Sequence, residues 1–215
     1  MNNNRFISGH LRLSEESLIH TALDDVRNEK VKIFINGEFF LRDEAKISVF
    51  DSGYLVGDGV WEAFRVHNGK LIFIDQHLDR LWQSAKVIGI SLPFSREELI
   101  ENVKSTLEIN EMKDHIHVRA MVTRGIKKTP SQDPRLTISG PNVVIIAEHK
   151  QAADESKNKG ISLFTSAIRR GSPDYLDPRL NCHSKLHEVQ ALIQAIEAGA
   201  DEALILDING FVSTC

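Results

Sequence analysis

The sequence predicts an α+β protein, and three observations carry that reading. Asn-Gly pairs stand between short apolar runs, the pattern of tight antiparallel hairpins. Near Asp75 the apolar spacing changes to that of a helix. After a polar stretch at residues 150–160, strand, helix and hairpin patterns resume.

Taken in order, residues 1–30 are polar, and Leu18, Ile19, Ala22, Leu23 and Val26 recur at helical spacing behind Ser14 as a cap. A helical N-terminal extension is expected there. VKIFINGEFFLRD then sets two apolar runs around Asn36-Gly37, a pair that tolerates the positive φ of a hairpin turn. Asn68-Gly69 joins VWEAFRVH to KLIFID in the same way. From Asp75, QHLDRLWQSAKVIGI puts Leu78, Leu81, Trp82, Ala85 and Ile88 on one helical face that ends near Gly89. Pro93 interrupts the chain, and Ser95 with Glu98 forms a capping box for a helix from about Arg96 to Glu108. HVRAMVTRG and NVVIIAEH read as strands that complete a small domain over residues 31–149. KQAADESKNKG, within residues 150–160, is the linker. In residues 161–215, ISLFTSAIRR reads as a strand, KLHEVQALIQAIEAG as a helix ending at Gly199, and EALILDINGFVS as a third Asn-Gly hairpin. The short last strand would leave edge groups unpaired, so a longer domain cut short at Cys215 is expected.

Composition narrows the partners. The chain has 215 residues, 41% hydrophobic and 26% charged, which suits a globular protein with a real core. The net charge of −4 is spread among interspersed acids and bases, which argues against nucleic acid and for a small-molecule partner. Cys182 and Cys215 are too few for a disulfide framework, and no Cys/His spacing suggests a metal. No run approaches the ~20 apolar residues that span a bilayer, and the start lacks a secretory pattern, so no membrane partner and a cytoplasmic location are expected.

One stretch holds more than turns and helices. Asp51, Gly57-Asp58-Gly59, Val60-Trp61-Glu62 and then His77, Arg80 and Leu81 follow in order, with VTRG at Val122–Gly125 and GADEALILD at Gly199–Asp207. In that order they resemble the fold-type IV pyridoxal-phosphate enzymes, which include branched-chain and D-amino acid aminotransferases and aminodeoxychorismate lyase. The resemblance covers about residues 31–215 and implies a D-amino acid aminotransferase-like fold. Its small N-terminal α/β domain would precede a larger barrel-like, cofactor-binding domain, of which residues 161–215 are an incomplete start. It further implies pyridoxal 5'-phosphate as cofactor, an amino acid and a 2-oxo acid as substrates, and a homodimer in the full-length form.

The same resemblance assigns residues. Arg80, a salt-bridging arginine on sequence grounds alone, stands where the family binds the cofactor phosphate, and a planar guanidinium fork suits phosphate oxygens. Arg124 stands where relatives receive the substrate carboxylate, and Trp61 where they place an aromatic wall of the substrate pocket. A surface arginine and a core tryptophan are the alternatives.

The covalent lysine is displaced. Register with the helix ending at Gly199 puts Asn181 where relatives carry the lysine that bonds the cofactor aldehyde, and Asn cannot make that bond. The nearby lysine is Lys185, at a position where relatives often have a tyrosine beside the cofactor. Lys185 is therefore the candidate amine, with His183 or His187 to assist proton transfer. Thr214 stands where relatives place a Glu against the pyridine nitrogen. A hydroxyl there favours ring protonation less than a carboxylate does. The leading expectation is a class IV aminotransferase. A lyase resembling aminodeoxychorismate lyase and a catalytically impaired pseudoenzyme of the family are the alternatives.

Overall fold

The computed structural model describes residues 25–150 and 158–215. The helix expected behind Ser14 and most of the expected linker lie outside them. The described residues form two compact units, one of residues 25–150 with 179–184, the other of residues 158–178 with 185–215.

The first unit opens with a 3₁₀ turn, Val26–Lys30, and then two hairpins that the Asn-Gly pairs dictate. β1 (Lys32–Ile35) and β2 (Glu38–Leu41) join through Asn36 and Gly37, whose φ of 51° and 99° are both positive, as a tight primed turn requires. After a one-turn helix α1 (Ser52–Val56), β3 (Gly59–His67) and β4 (Lys70–Leu71) join in the same manner at Asn68 and Gly69. Two helices follow, α2 (Ile74–Val87) and α3 (Arg96–Ile109), and then β5 (Ile116–Thr123) and β6 (Asn142–His149). The strands make one antiparallel sheet in the order β2-β1-β6-β5-β3-β4.

Alternation decides which side of this sheet is core. On β5, Ile116, Val118, Ala120 and Val122 are buried, and β6 contributes Val143, Ile145 and Ala147. α2 lays Leu78, Leu81 and Ala85 on that core, and α3 adds Leu99 and Val103. Each fully buried Leu contributes roughly 1.5–3 kcal/mol. The capping box fixes where α3 starts, since Ser95 Oγ accepts from Glu98 N at 3.1 Å and the Glu98 carboxylate accepts from Ser95 N at 2.6 Å.

Strand β3 has β5 on one side, but on the other β4 pairs only with Val66 and His67. Its first half would be an open edge. Residues 181–183 close it: Cys182 bridges Val60, Trp61 N donates to Asn181 O at 2.9 Å, and His183 N donates to Gly59 O at 3.0 Å. Those bonds explain why residues 179–184 cluster with the first unit, whereas the sequence groups them within 161–215.

In the second unit, β7 (Leu163–Arg170) runs parallel to β8 (Glu202–Asp207), with α4 (Leu186–Glu197) between them in the chain, and β9 (Val212–Thr214) returns antiparallel to β8. Ala191, Ala195, Ala203 and Ile205 form its core. Gln194 ties helix to strand, since its Oε1 accepts from Ser166 Oγ at 2.8 Å and from Ala167 N at 2.9 Å. The Asn209-Gly210 turn is held by the Asp207 carboxylate, which accepts from Asn209 N and Phe211 N, each at 2.9 Å. Among the described residues no helix is long and apolar enough to cross a membrane.

Two stability predictions follow from the first unit. Ser95→Ala removes one arm of the capping box and should cost about 1 kcal/mol, read as a lower urea midpoint with unchanged slope. Burial beside Lys150, Arg119 and Arg65 holds the His117 imidazole down at about 4, from its ordinary 6.5. The unfolded chain therefore takes up this proton first, so stability should fall as pH drops from about 6.5 to about 4. In His117→Gln the urea midpoint should fall less between pH 7 and pH 5 than in the unaltered protein, and an equal fall would refute the assignment.

Candidate active site

The Gly57-Asp58-Gly59 turn is built by a buried acid, Asp51, a partly buried one, Asp58, and two glycines without room for side chains. Asp51 caps α1, and its carboxylate accepts from Gly53 N at 2.8 Å, Thr123 Oγ1 at 2.6 Å and Asn142 Nδ2 at 2.6 Å. Gly57 ends α1 in the left-handed region at φ 69°, where a Cβ would also meet Ser184 Oγ at 2.6 Å. At Gly59 a Cβ would lie 2.7 Å from the Val122 carbonyl oxygen. Asp58, between them, pairs with Arg124.

Arg124 is deeply engaged. Its Nε and Nη2 donate to the Asp58 carboxylate at 2.6 and 3.0 Å, Nη2 also to Ile88 O at 2.6 Å, and Nη1 to Gly89 O at 3.0 Å. The last two are carbonyls at the C-terminal end of α2, where a cation is favoured. The side chain thus locks the turn before β3 to the end of α2. A substrate carboxylate would have to displace Asp58 to reach the edge that Asp58 holds.

Glu62 is the residue that sequence reasoning underread. It lies in the inward row of β3 between Val60 and Phe64, and its side chain has no exposure. Arg80 donates to it through Nε and through Nη2, the latter at 2.7 Å, and His77 Nδ1 sits 2.7 Å from Oε2. An ionised carboxylate only accepts, so His77 carries its proton on Nδ1 in this contact. The Glu62 hydrogen bonds raise the Arg80 pKa further above its ordinary value. The signal was legible, since H-x-x-R places both partners on one face of α2 and alternation turns Glu62 inward.

Trp61 and Asn181 are brought together. The indole Nε1 donates to Cys182 O at 3.0 Å, the Trp61 backbone N bonds Asn181 O, and the Arg119 guanidinium lies 4.3 Å over the indole ring. His183, considered for proton transfer, has a buried Nε2 without a hydrogen-bond partner, and burial lowers its pKa. Its ring fills the space beside Gly53 and Gly59, where a Cβ would approach it to 3.2 Å.

The second unit holds Lys185 and Thr214 in one cavity of about 260 Å³, with Glu188, Glu202 and Cys215 on its walls and Leu192 and Ile205 among its apolar lining. Lys185 precedes the first turn of α4, and its Nζ donates to Glu188 Oε1 at 3.1 Å. His187 Nε2 is 3.7 Å from the same oxygen. Thr214 is placed there because β9 pairs it with Ile205. An amine and a hydroxyl on one cavity suit the aldehyde and the ring nitrogen of pyridoxal phosphate. The guanidinium of Arg80 belongs to the first unit and is of a kind suited to phosphate oxygens. Among the described residues no cluster of His, Cys, Asp and Glu could hold a metal ion.

Comparison with known proteins extends these observations. A 2.9–3.0 Å backbone ladder at Gly59–Trp61 opens the stretch that one family model matches, amino-transferase class IV, over residues 59–215. "Branched-chain-amino-acid aminotransferase-like protein 2" of Arabidopsis thaliana is 38% identical over 94% of this chain and 36% of its own length. A "Putative branched-chain-amino-acid aminotransferase" of Methanocaldococcus jannaschii is 40% identical over 85% of this chain and 62% of its own. The chain therefore spans from about a third to three fifths of the length of these relatives. Among solved structures, a T.th. branched-chain amino acid aminotransferase with pyridoxamine 5'-phosphate superposes with a TM-score of 0.78 at 28% identity, covering 86% of this chain and 62% of that one. With the family model spanning most of its length, this chain belongs to the class IV aminotransferase family.

Proposed function

We propose that this protein is a pyridoxal-phosphate-dependent aminotransferase of class IV, moving an amino group between an amino acid and a 2-oxo acid, with branched-chain substrates the first to test. The observation that supports it best is the cavity shared by Lys185 and Thr214. Bound pyridoxal phosphate supplies an aldehyde for a lysine amine and a ring that draws electron density from the substrate α-carbon. Lys185 is the amine and the proton carrier at that carbon, held until then by Glu188. Thr214 meets the ring nitrogen as a neutral partner, Asn181 contributes a carboxamide to the cofactor surroundings, and Arg80 takes the phosphate. Trp61 would form a wall of the substrate pocket, and Arg124 would receive the substrate carboxylate only by giving up its pair with Asp58. Residues 31–149 act as the small domain and 161–215 as the start of the cofactor domain, in a cytoplasmic homodimer.

Two further readings belong to the same family. A lyase would use the same amine but expel a carbon leaving group, and 4-amino-4-deoxychorismate lyase from Pseudomonas aeruginosa shares the fold at a TM-score of 0.65 and 24% identity. A catalytically silent member is favoured by one observation, the carboxamide of Asn181 at the family's lysine position.

Borohydride reduction of the cofactor-loaded protein, followed by peptide mapping, separates these readings. The pyridoxyl label is expected on Lys185 and should vanish in Lys185→Ala. A label elsewhere would transfer the role to another lysine. If no label and no visible band form, while Asn181→Lys acquires both with the label at position 181, the silent reading holds and the role given to Lys185 is wrong.

A further inference from the structure

Arg80 uses one edge of its guanidinium and leaves the other open. Nε and Nη2 both donate to the Glu62 carboxylate, so that edge is occupied. Nη1 and the outward proton of Nη2 form the second edge, which makes no hydrogen bond among the described residues. The side chain is half exposed, at 50%, so this second edge can meet a ligand. The open fork has the geometry of two parallel donors, suited to two oxygens of a phosphate monoester.

Glu62 cannot follow Arg80 if the arginine moves. Its carboxylate is fully buried, it belongs to a strand paired with β5 from Gly59 to Val66, and Oε2 also accepts from His77 Nδ1 at 2.7 Å. A planar group gripped on one edge by a fixed carboxylate has its adjacent edge aimed in a fixed direction. We infer that Glu62 is a positioning residue for phosphate binding: with His77 behind it, it holds the Arg80 guanidinium so that the Nη1/Nη2 fork faces the phosphate of the cofactor. This rests on the reading of Arg80 as the phosphate ligand.

Two consequences of Glu62 oppose each other. Its negative charge weakens the attraction of Arg80 for an anion, whereas its grip removes the rotamer freedom that a long side chain would otherwise lose on binding. The repulsion acts between groups on two adjacent edges of the guanidinium, and solvent at the half-exposed outer edge screens the anion. The grip acts through two direct hydrogen bonds. Orientation therefore prevails, and loss of Glu62 should weaken phosphate recognition.

The test uses 4'-deoxypyridoxine 5'-phosphate and its dephosphorylated form, neither of which carries an aldehyde, so Lys185 has no part in the result. Equilibrium dialysis gives the ratio of the two affinities, which reports the phosphate contribution alone. Glu62→Gln keeps the shape but replaces an acceptor with a donor, and should reduce the ratio roughly tenfold, comparable to losing the outer partner of a metal ligand. Arg80→Ala should reduce it at least as much, and the double variant should be no worse than Arg80→Ala. Glu62→Asp, which keeps the charge, should recover part of the ratio. If Arg80→Ala reduces the ratio and Glu62→Gln leaves it unchanged or raises it, the positioning role is refuted while the Arg80 reading stands. If Arg80→Ala leaves the ratio unchanged, both fall. Should Glu62→Gln not fold, His77→Phe, which removes the support behind Glu62, should reduce the ratio in the same direction, and an unchanged ratio would refute the inference.

Discussion

The first unit depends on the need to pair one buried carboxylate. Glu62 stands in a row of β3 otherwise made of Val60, Phe64 and Val66, with no access to water. An isolated carboxylate there would cost several kcal/mol, and removing one partner of such a pair typically costs roughly 3–5 kcal/mol. α2 must therefore dock with His77 and Arg80 over Glu62. The same rotation sets Leu78, Leu81 and Ala85 onto the sheet, so charge pairing and apolar burial specify one orientation of the helix.

A second acid and base, Asp58 and Arg124, complete the frame. Arg124 follows β5 and Asp58 precedes β3, so their ion pair joins the entry of one strand to the exit of its neighbour. The carbonyls of Ile88 and Gly89 at the end of α2 take two further donors. Helix α2 is thus held by Glu62 along its length and by Arg124 at its end. Asp58 of the glycine turn and Arg124, a candidate substrate ligand in the sequence, are in this geometry parts that set β3 and α2 against each other.

Local rules were readable because they act over few residues. The primed turns at Asn36-Gly37 and Asn68-Gly69 follow from the φ that those residues tolerate, and the Ser95/Glu98 box from a reciprocal bond across one helical turn. The inward position of Glu62 was equally local, since alternation alone fixes it. What could not be read was long range. Nothing in RLNCHS announces that Cys182 will bridge Val60, because that pairing answers an edge left open by the shortness of β4. The shared cavity of Lys185 and Thr214 was hidden for a similar reason: it depends on β9 returning along β8, and the third Asn-Gly pair signalled the turn without giving the register.

The proposed shift of the amine from position 181 to 185 meets little resistance from the fold. Asn181 is bound through its backbone to Trp61, so its place is fixed by the edge of β3 and not by its own side chain. That backbone bond does not depend on which side chain stands at position 181. Lys185 pairs with Glu188, and with both side chains partly exposed, at 27% and 34%, such a pair is worth roughly 0.2–1 kcal/mol. That is a small cost against a covalent bond to an aldehyde, so the ion pair is no barrier to the new role. In the proposed cofactor site the harder demand falls on Thr214. A neutral hydroxyl against a ring nitrogen would give no charge to hold a proton there, and no rearrangement of Lys185 would supply one. The weak point of the proposed enzyme is the electron sink, with the amine the lesser problem.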